Sequence, residues 1–160
     1  MITPAVFLAV VKFNLLRRPL MVSTTAQHCL DVDRKKLNHM VDNGELAWAW
    51  NLGLGQDRND LRILTACVVE HCMGPIKEIG ATKNLKLPEV LGLILPQKRE
   101  TVRGTELQRL FYCHANLIHH LNAVGEITRI NEKLARVGPN ASPRFTVDSV
   151  AAFLGKRRVF

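Results

Sequence analysis

Two clusters of cysteine and histidine are the residues best suited to site chemistry. Cys67 and Cys72 flank His71, and Cys113-His114 precedes His119-His120. Thiolates and imidazoles are common zinc ligands, so both clusters invite a metal-site reading. The spacing argues against it. Neither cluster has the Cys-x2-Cys or His-x3-His step that brings ligands to one point, and the helical periodicity turns these side chains to different faces. Neither a metal nor another cofactor is expected. All four cysteines, Cys29, Cys67, Cys72 and Cys113, fall in segments of apolar periodicity, which predicts buried, free and reduced thiols. Gly53-Leu54-Gly55 reads as a hairpin tip and not as a phosphate-cradling loop. With no nucleophile elbow, paired acidic metal site or Ser–His–Asp order, the chain is not expected to be an enzyme.

The chemistry that remains is that of charge. Lys and Arg number 22 against 14 Asp and Glu, a formal charge of +8 with a pI near 9.7. A surplus of that size fits an anionic partner, of which nucleic acid is the commonest. Aromatic residues are only 6% of the chain, which argues against a surface stacking many unpaired bases. The balance of 47% hydrophobic and 22% charged residues is that of a globular protein and excludes general disorder. The chain of 160 residues suffices for one good-sized domain or two small ones.

The elements that position these charges emerge when the sequence is laid on itself at an offset of 81 residues. Thr24-Thr25-Ala26-Gln27 then falls on Thr105-Glu106-Leu107-Gln108, two Thr-x-x-Gln steps that read as capping boxes. Leu37 and Met40 fall on Ile118 and Leu121, the inner face of a second helix. Asn43-Gly44-Glu45-Leu46 falls on Val124-Gly125-Glu126-Ile127, with each glycine at a left-handed helix end. Arg62-Ile63 and Val68 fall on Arg144-Phe145 and Val150 after a one-residue slip. Each copy predicts helix, tight turn, helix, strand, loop, strand, helix. In the first, helices span about 24–30, 33–43 and 65–72, with strands at 46–52 and 61–64. In the second, helices span 105–111, 114–123 and 147–154, the last capped by Gly155, and the strands flank a loop from Asn131 to Pro143.

Four segments follow from this reading. Residues 1–20 form an N-terminal helix, capped by Thr3 with Pro4 in its first turn, that packs on the chain or on a second copy. Its apolar run is too short to span a bilayer and lacks a preceding basic segment, so neither a membrane anchor nor a secretion signal is expected. Residues 21–73 form the first module, 74–101 a connecting element with a short helix from Pro88 to Leu95, and 102–160 the second module. Trp48 and Trp50, in phase on one strand face, are expected to cover a small core.

The sequence from Ser23-Thr24-Thr25-Ala26-Gln27, through Asp33-Arg34-Lys35-Lys36-Leu37, to Asn43-Gly44-Glu45-Leu46 resembles the winged helix-turn-helix of MerR-type regulators and phage excisionases. The resemblance covers about 50 residues in each copy. It implies a mainly α fold with two small β-hairpin wings, built as two tandem modules packed together. It also implies double-stranded DNA as the partner, with a recognition helix in the major groove and a wing on the backbone. MerR-type regulators continue into a long dimerising helix and an effector domain, and this chain has neither, so ligand sensing is not carried over.

In the first module the implied contacts are Arg34, Lys35, Asn38 and His39 on the recognition helix, N-capped by Asp33. The wing candidates there are Arg58 and Arg62. In the second module the helix offers His114, Asn116, His119 and His120, with no Arg or Lys, and the wing offers Arg129, Lys133, Arg136 and Arg144. The tail Lys156-Arg157-Arg158 is placed to ride on phosphates. The expected function is a sequence-specific, cytoplasmic and nucleoid-associated regulator of transcription, from a bacterium or a mobile element. Two rivals stand beside it. One is an architectural DNA binder, such as a recombination directionality factor or packaging-initiation subunit. The other is an adaptor whose modules bind RNA polymerase or a partner regulator, favoured by the second helix's lack of Arg and Lys. Homodimerisation through the N-terminal helix is compatible with all three.

Overall fold

The structure is a computed structural model describing residues 17–53, 58–96, 98–130 and 143–159. The expected N-terminal helix lies outside the described residues up to position 16, and its expected last residue, Leu20, instead opens a strand; positions 54–57 of the wing tip, and Lys133 and Arg136, also lie outside the described residues. The described chain is an α+β fold, about half helical, with seven α-helices and small antiparallel sheets. No described helix is long and apolar enough to cross a membrane.

In the first half β1 (Leu20–Val22) leads into α1 (Ser23–Leu30) and α2 (Arg34–Asp42). Strands β2 (Ala49–Asn51) and β3 (Leu61–Leu64) follow, and α3 (Thr65–Met73) closes the unit. A 3-10 turn at Thr82–Asn84 and α4 (Leu87–Ile94), with Pro88 in its first turn, connect the halves. The second half repeats the order with β4 (Thr101–Arg103), α5 (Gly104–Leu110), α6 (Ala115–Ala123), β5 (Arg144–Thr146) and α7 (Val147–Lys156). Among the described residues, Arg129 forms a bridge to Phe145 near the place that β2 holds in the first half.

The backbone repeats more closely than the side chains do. Asp31 (φ 53°) and Tyr112 (φ 49°) take the left-handed conformation at the same point of each inter-helix turn. Gly44 (φ 80°) and Gly125 (φ 81°) do so where α2 and α6 end, a conformation that glycine adopts without a Cβ penalty. Val32 N–H donates to Gln27 O at 3.0 Å and Cys113 N–H to Gln108 O at 2.9 Å, so even the turn hydrogen bonds coincide.

Two strands were not anticipated. β1 pairs antiparallel with β3, Met21 opposite Ile63, giving the sheet order β1-β3-β2. β4 pairs likewise with β5, Val102 opposite Phe145. The helix starts also differ from expectation. α1 and α5 begin at Ser23 and Gly104, so Thr24 and Thr105 lie inside the first turn and do not cap it. At α5 the Arg103 N–H instead donates to Glu106 Oε1 at 3.4 Å. Gly155 is likewise not a cap, because α7 runs on to Lys156.

One continuous core joins the halves, from Leu37, Met40, Trp50 and Ile63 to Phe111, Ile118, Phe145 and Phe153. Trp48 and Trp50 belong to it, their ring centroids 6.2 Å apart, and Trp48 Nε1–H donates to Thr82 O at 2.8 Å. The C-terminal segment adds to the free edge of β2. Asn51 N–H donates to Arg157 O at 3.0 Å and Val159 N–H to Ala49 O at 2.9 Å. An unpaired strand edge is thereby covered from within the chain.

Candidate nucleic-acid interface

Helix α2 is amphipathic in a way that fixes which side chains face out. Leu37, Met40 and Val41 are buried, spaced to form one stripe of a 3.6-residue period. The opposite face is then centred on Lys35 and His39, with Lys36 on one flank and Arg34 and Asn38 on the other. Arg34, Lys35, Lys36 and His39 are exposed and Asn38 is half-buried. Asp33 caps the helix as its sequence predicts, accepting the Lys36 N–H at 2.7 Å. A carboxylate at this end satisfies an orphan donor and the positive end of the helix dipole.

The hairpin lies along the Arg34 flank. Arg34 Nη2 donates to Asn59 Oδ1 at 3.2 Å, and Arg58 Nη2 to Asp42 Oδ1 at 2.6 Å. Each end of α2 is thus tied to the hairpin. Both carboxylates on this helix are occupied, Asp33 on the backbone and Asp42 by Arg58, so the Arg34-Lys35-Lys36 run sets the sign of the surface. Lys36 was missed as a candidate. Its position in the basic run, one residue from Lys35 and away from the buried stripe, was the available signal.

The second half presents a different surface at the same place. Ile118 and Leu121 are buried in α6, while His114, Asn116, His119 and His120 are exposed. Leu117 stands where α2 has Lys36 and packs against the core. The turn before α6 is covered by the first half. Arg62 Nε donates to Phe111 O at 2.7 Å and Arg62 Nη2 to Tyr112 O at 3.0 Å.

Arg62 is therefore not a wing contact. It is only 6% exposed, and its three donor groups all go to backbone carbonyls, the third to Leu61 O at 3.2 Å. Burial pushes its pKa below the usual arginine value, and Asp60 opposes that shift. The tail expectation changes for the same reason. Arg157 Nε donates to Asn51 O at 3.1 Å, and its Nη2 to Gly53 O. The Arg158 guanidinium lies 3.5 Å from the Trp48 ring centroid and donates to Ala47 O at 3.0 Å. Of the tail cations only Lys156 is exposed. Arg129 is exposed beside β5, whereas Arg144 is half-buried with Nη1 3.4 Å from Thr101 Oγ1.

The cysteines also depart from expectation in part. Cys67 is buried and Cys113 half-buried, but Cys29 and Cys72 are exposed, with Cys72 Sγ 3.7 Å from Cys29 O. Burial pushes the Cys113 thiol up to about 11, with Arg62 pulling it down and Asp60 raising it. No group of three or more metal-ligating side chains occurs among the described residues.

Comparison of the chain with known protein families, characterised proteins and solved structures finds no match. The functional reading therefore rests on the geometry of α2 and its hairpin.

Proposed function

We propose that the protein binds double-stranded DNA through α2 and regulates transcription at a specific sequence, its two halves being tandem winged helix-turn-helix modules. The observation that carries this reading is the outward face of α2. It is a helix locked by its inner stripe and by the hairpin, presenting Arg34, Lys35, Lys36, Asn38 and His39 to solvent with both neighbouring carboxylates occupied. A helix fits the major groove, where Arg and Lys donate to guanine and Asn pairs with adenine. Phosphate contacts from the lysines supply affinity, and base contacts from Arg34 and Asn38 supply choice.

The two halves divide the work unequally. α6 carries no Arg or Lys, and the turn before it is held by Arg62, so the second half acts mainly as a platform that fixes the first. The same neutral surface is the observation favouring a protein partner for α6 as a second reading. Selection of bound duplexes from a randomised pool tests the specific-reader role. A recovered motif whose positions relax in Asn38→Ala supports it. Recovery of unbiased sequence by a protein that still binds leaves only the architectural role.

A further inference from the structure

A groove of about 740 Å³ runs between the two halves. Asp60 and Arg62 of the first hairpin line it from one side, and Gln108, Arg109, Tyr112, His114 and Asn116 from the other. Arg18 lines it as well, its guanidinium 4.6 Å from the Tyr112 ring centroid. Arg18 and Arg109 are exposed cations, Arg62 is a buried one, and Asp60 is the single carboxylate of the lining. Gln108, Tyr112, His114 and Asn116 add hydrogen-bonding side chains. Such a surface, two exposed guanidinium groups and a buried third with hydrogen-bonding side chains beside them, suits a phosphate group.

One chain step links the groove lining to the hairpin residue that holds α2. Asn59, which holds Arg34, is the chain neighbour of Asp60 in the groove lining. We propose that this groove holds the phosphodiester backbone of the same duplex that α2 reads, as a second contact belonging to neither half alone. The proposal rests on the DNA-binding reading. Arg18 and Arg109 bind phosphate oxygens, Gln108 and Asn116 orient the strand, and Asp60 excludes a closer approach on the hairpin side. The second half then contributes affinity through the last turn of α5 and the first turn of α6.

The test is a fluorescence-anisotropy titration of the full chain on mixed-sequence duplex at several salt concentrations. Wild type is compared with Arg18→Ala/Arg109→Ala and with Lys35→Ala/Lys36→Ala. Each lost phosphate contact removes about 0.9 from the slope of log K against log salt. The groove variant is expected to lose about 1.8 from that slope and on the order of tenfold in affinity, equally on every sequence. Arg109→Glu, which leaves the Arg18–Tyr112 contact intact, should weaken binding in the same direction, with its melting temperature confirming the fold.

If Lys35→Ala/Lys36→Ala weakens binding while the groove variants match wild type, the groove proposal is wrong and the DNA reading stands. If wild type binds no duplex even at low salt, both fall. A parallel titration with inorganic phosphate, followed by the His114 imidazole resonances, separates the two sources of the anion. Saturation by phosphate in a protein that ignores duplex identifies a small-anion site and overturns the duplex assignment.

Discussion

Arg62 offers the sharpest stability prediction, because the same side chain is buried, charged and shared between the two halves. Its Nε and Nη2 satisfy the carbonyls of Phe111 and Tyr112 at 2.7 and 3.0 Å. Arg62→Ala removes both bonds and the packed stem, whereas Arg62→Met keeps most of the stem. A hydrogen bond from a charged donor contributes ~1.5–3 kcal/mol, and losing one strands its acceptor. The two bonds act as a unit, and the groove lets water reach part of the vacated space. We therefore expect a loss of about 2–4 kcal/mol for Arg62→Ala and a somewhat smaller loss for Arg62→Met.

In urea, with a slope of roughly 2 kcal/mol/M for a chain of this size, the midpoint should fall by about 1–2 M. Arg129→Ala, at an exposed position, should stay within ~0.5 kcal/mol of wild type. An Arg62→Ala midpoint indistinguishable from that of Arg129→Ala would refute the claim that Arg62 clamps the halves.

Four further predictions concern other parts of the chain. Truncation after Lys156 removes the bridging segment on the β2 edge and the guanidinium over Trp48, so tryptophan emission should shift to the red and the chain should lose stability. Unchanged emission would show that the tail does not pack there. Under a thiol-reactive probe at pH 8, Cys29 and Cys72 should label first and Cys67 and Cys113 last, because desolvation raises all four thiols but only the latter pair's sulfurs are hidden from the probe. The Cys113 shift also has a sign for stability. The folded thiol holds its proton up to about 11 against an ordinary value of 9.0, so stability should drop as pH rises from 9 towards 11, and Cys113→Ala should flatten that alkaline limb. At acid pH the carboxyl of Glu106 is held below its usual range by the bidentate Arg99 bond at 2.7 and 2.9 Å. Its contribution is present above pH 4.5 and lost as pH falls through the depressed value, so Glu106→Gln should reduce the acid dependence of unfolding in that window.

The parts of the fold legible in the sequence are those written in local chemistry. Asp33 announces the start of α2, Gly44 and Gly125 mark the ends of α2 and α6, and the spacing of Leu37 and Met40 gives the inner face. β1 and β4 were hidden because three residues are too few to show an alternating pattern. Their partners also lie far along the chain, Leu20 with Leu64 and Thr101 with Thr146. The Thr-x-x-Gln steps place the caps two residues late, since the strands preceding α1 and α5 feed directly into the helices and leave Val22 and Arg103 at the N-cap positions. Arg62, Arg157 and Arg158 looked like surface cations because nothing near them in sequence says otherwise. Their burial comes from the docking of one half on the other. The α2 surface was readable from one short segment, whereas the groove exists only where β3 meets the turn before α6.

The central claim is that α2 is the surface that meets DNA. The direct measurement is duplex binding by fluorescence anisotropy across salt, with Arg34→Ala/Lys35→Ala beside wild type. The account predicts micromolar or tighter binding with a slope of about −5 to −7 for ~6–8 phosphate contacts, and a shallower slope and weaker binding in the double variant. Binding of equal strength and slope in both proteins would place the contact elsewhere, and no binding at low salt would contradict the account outright.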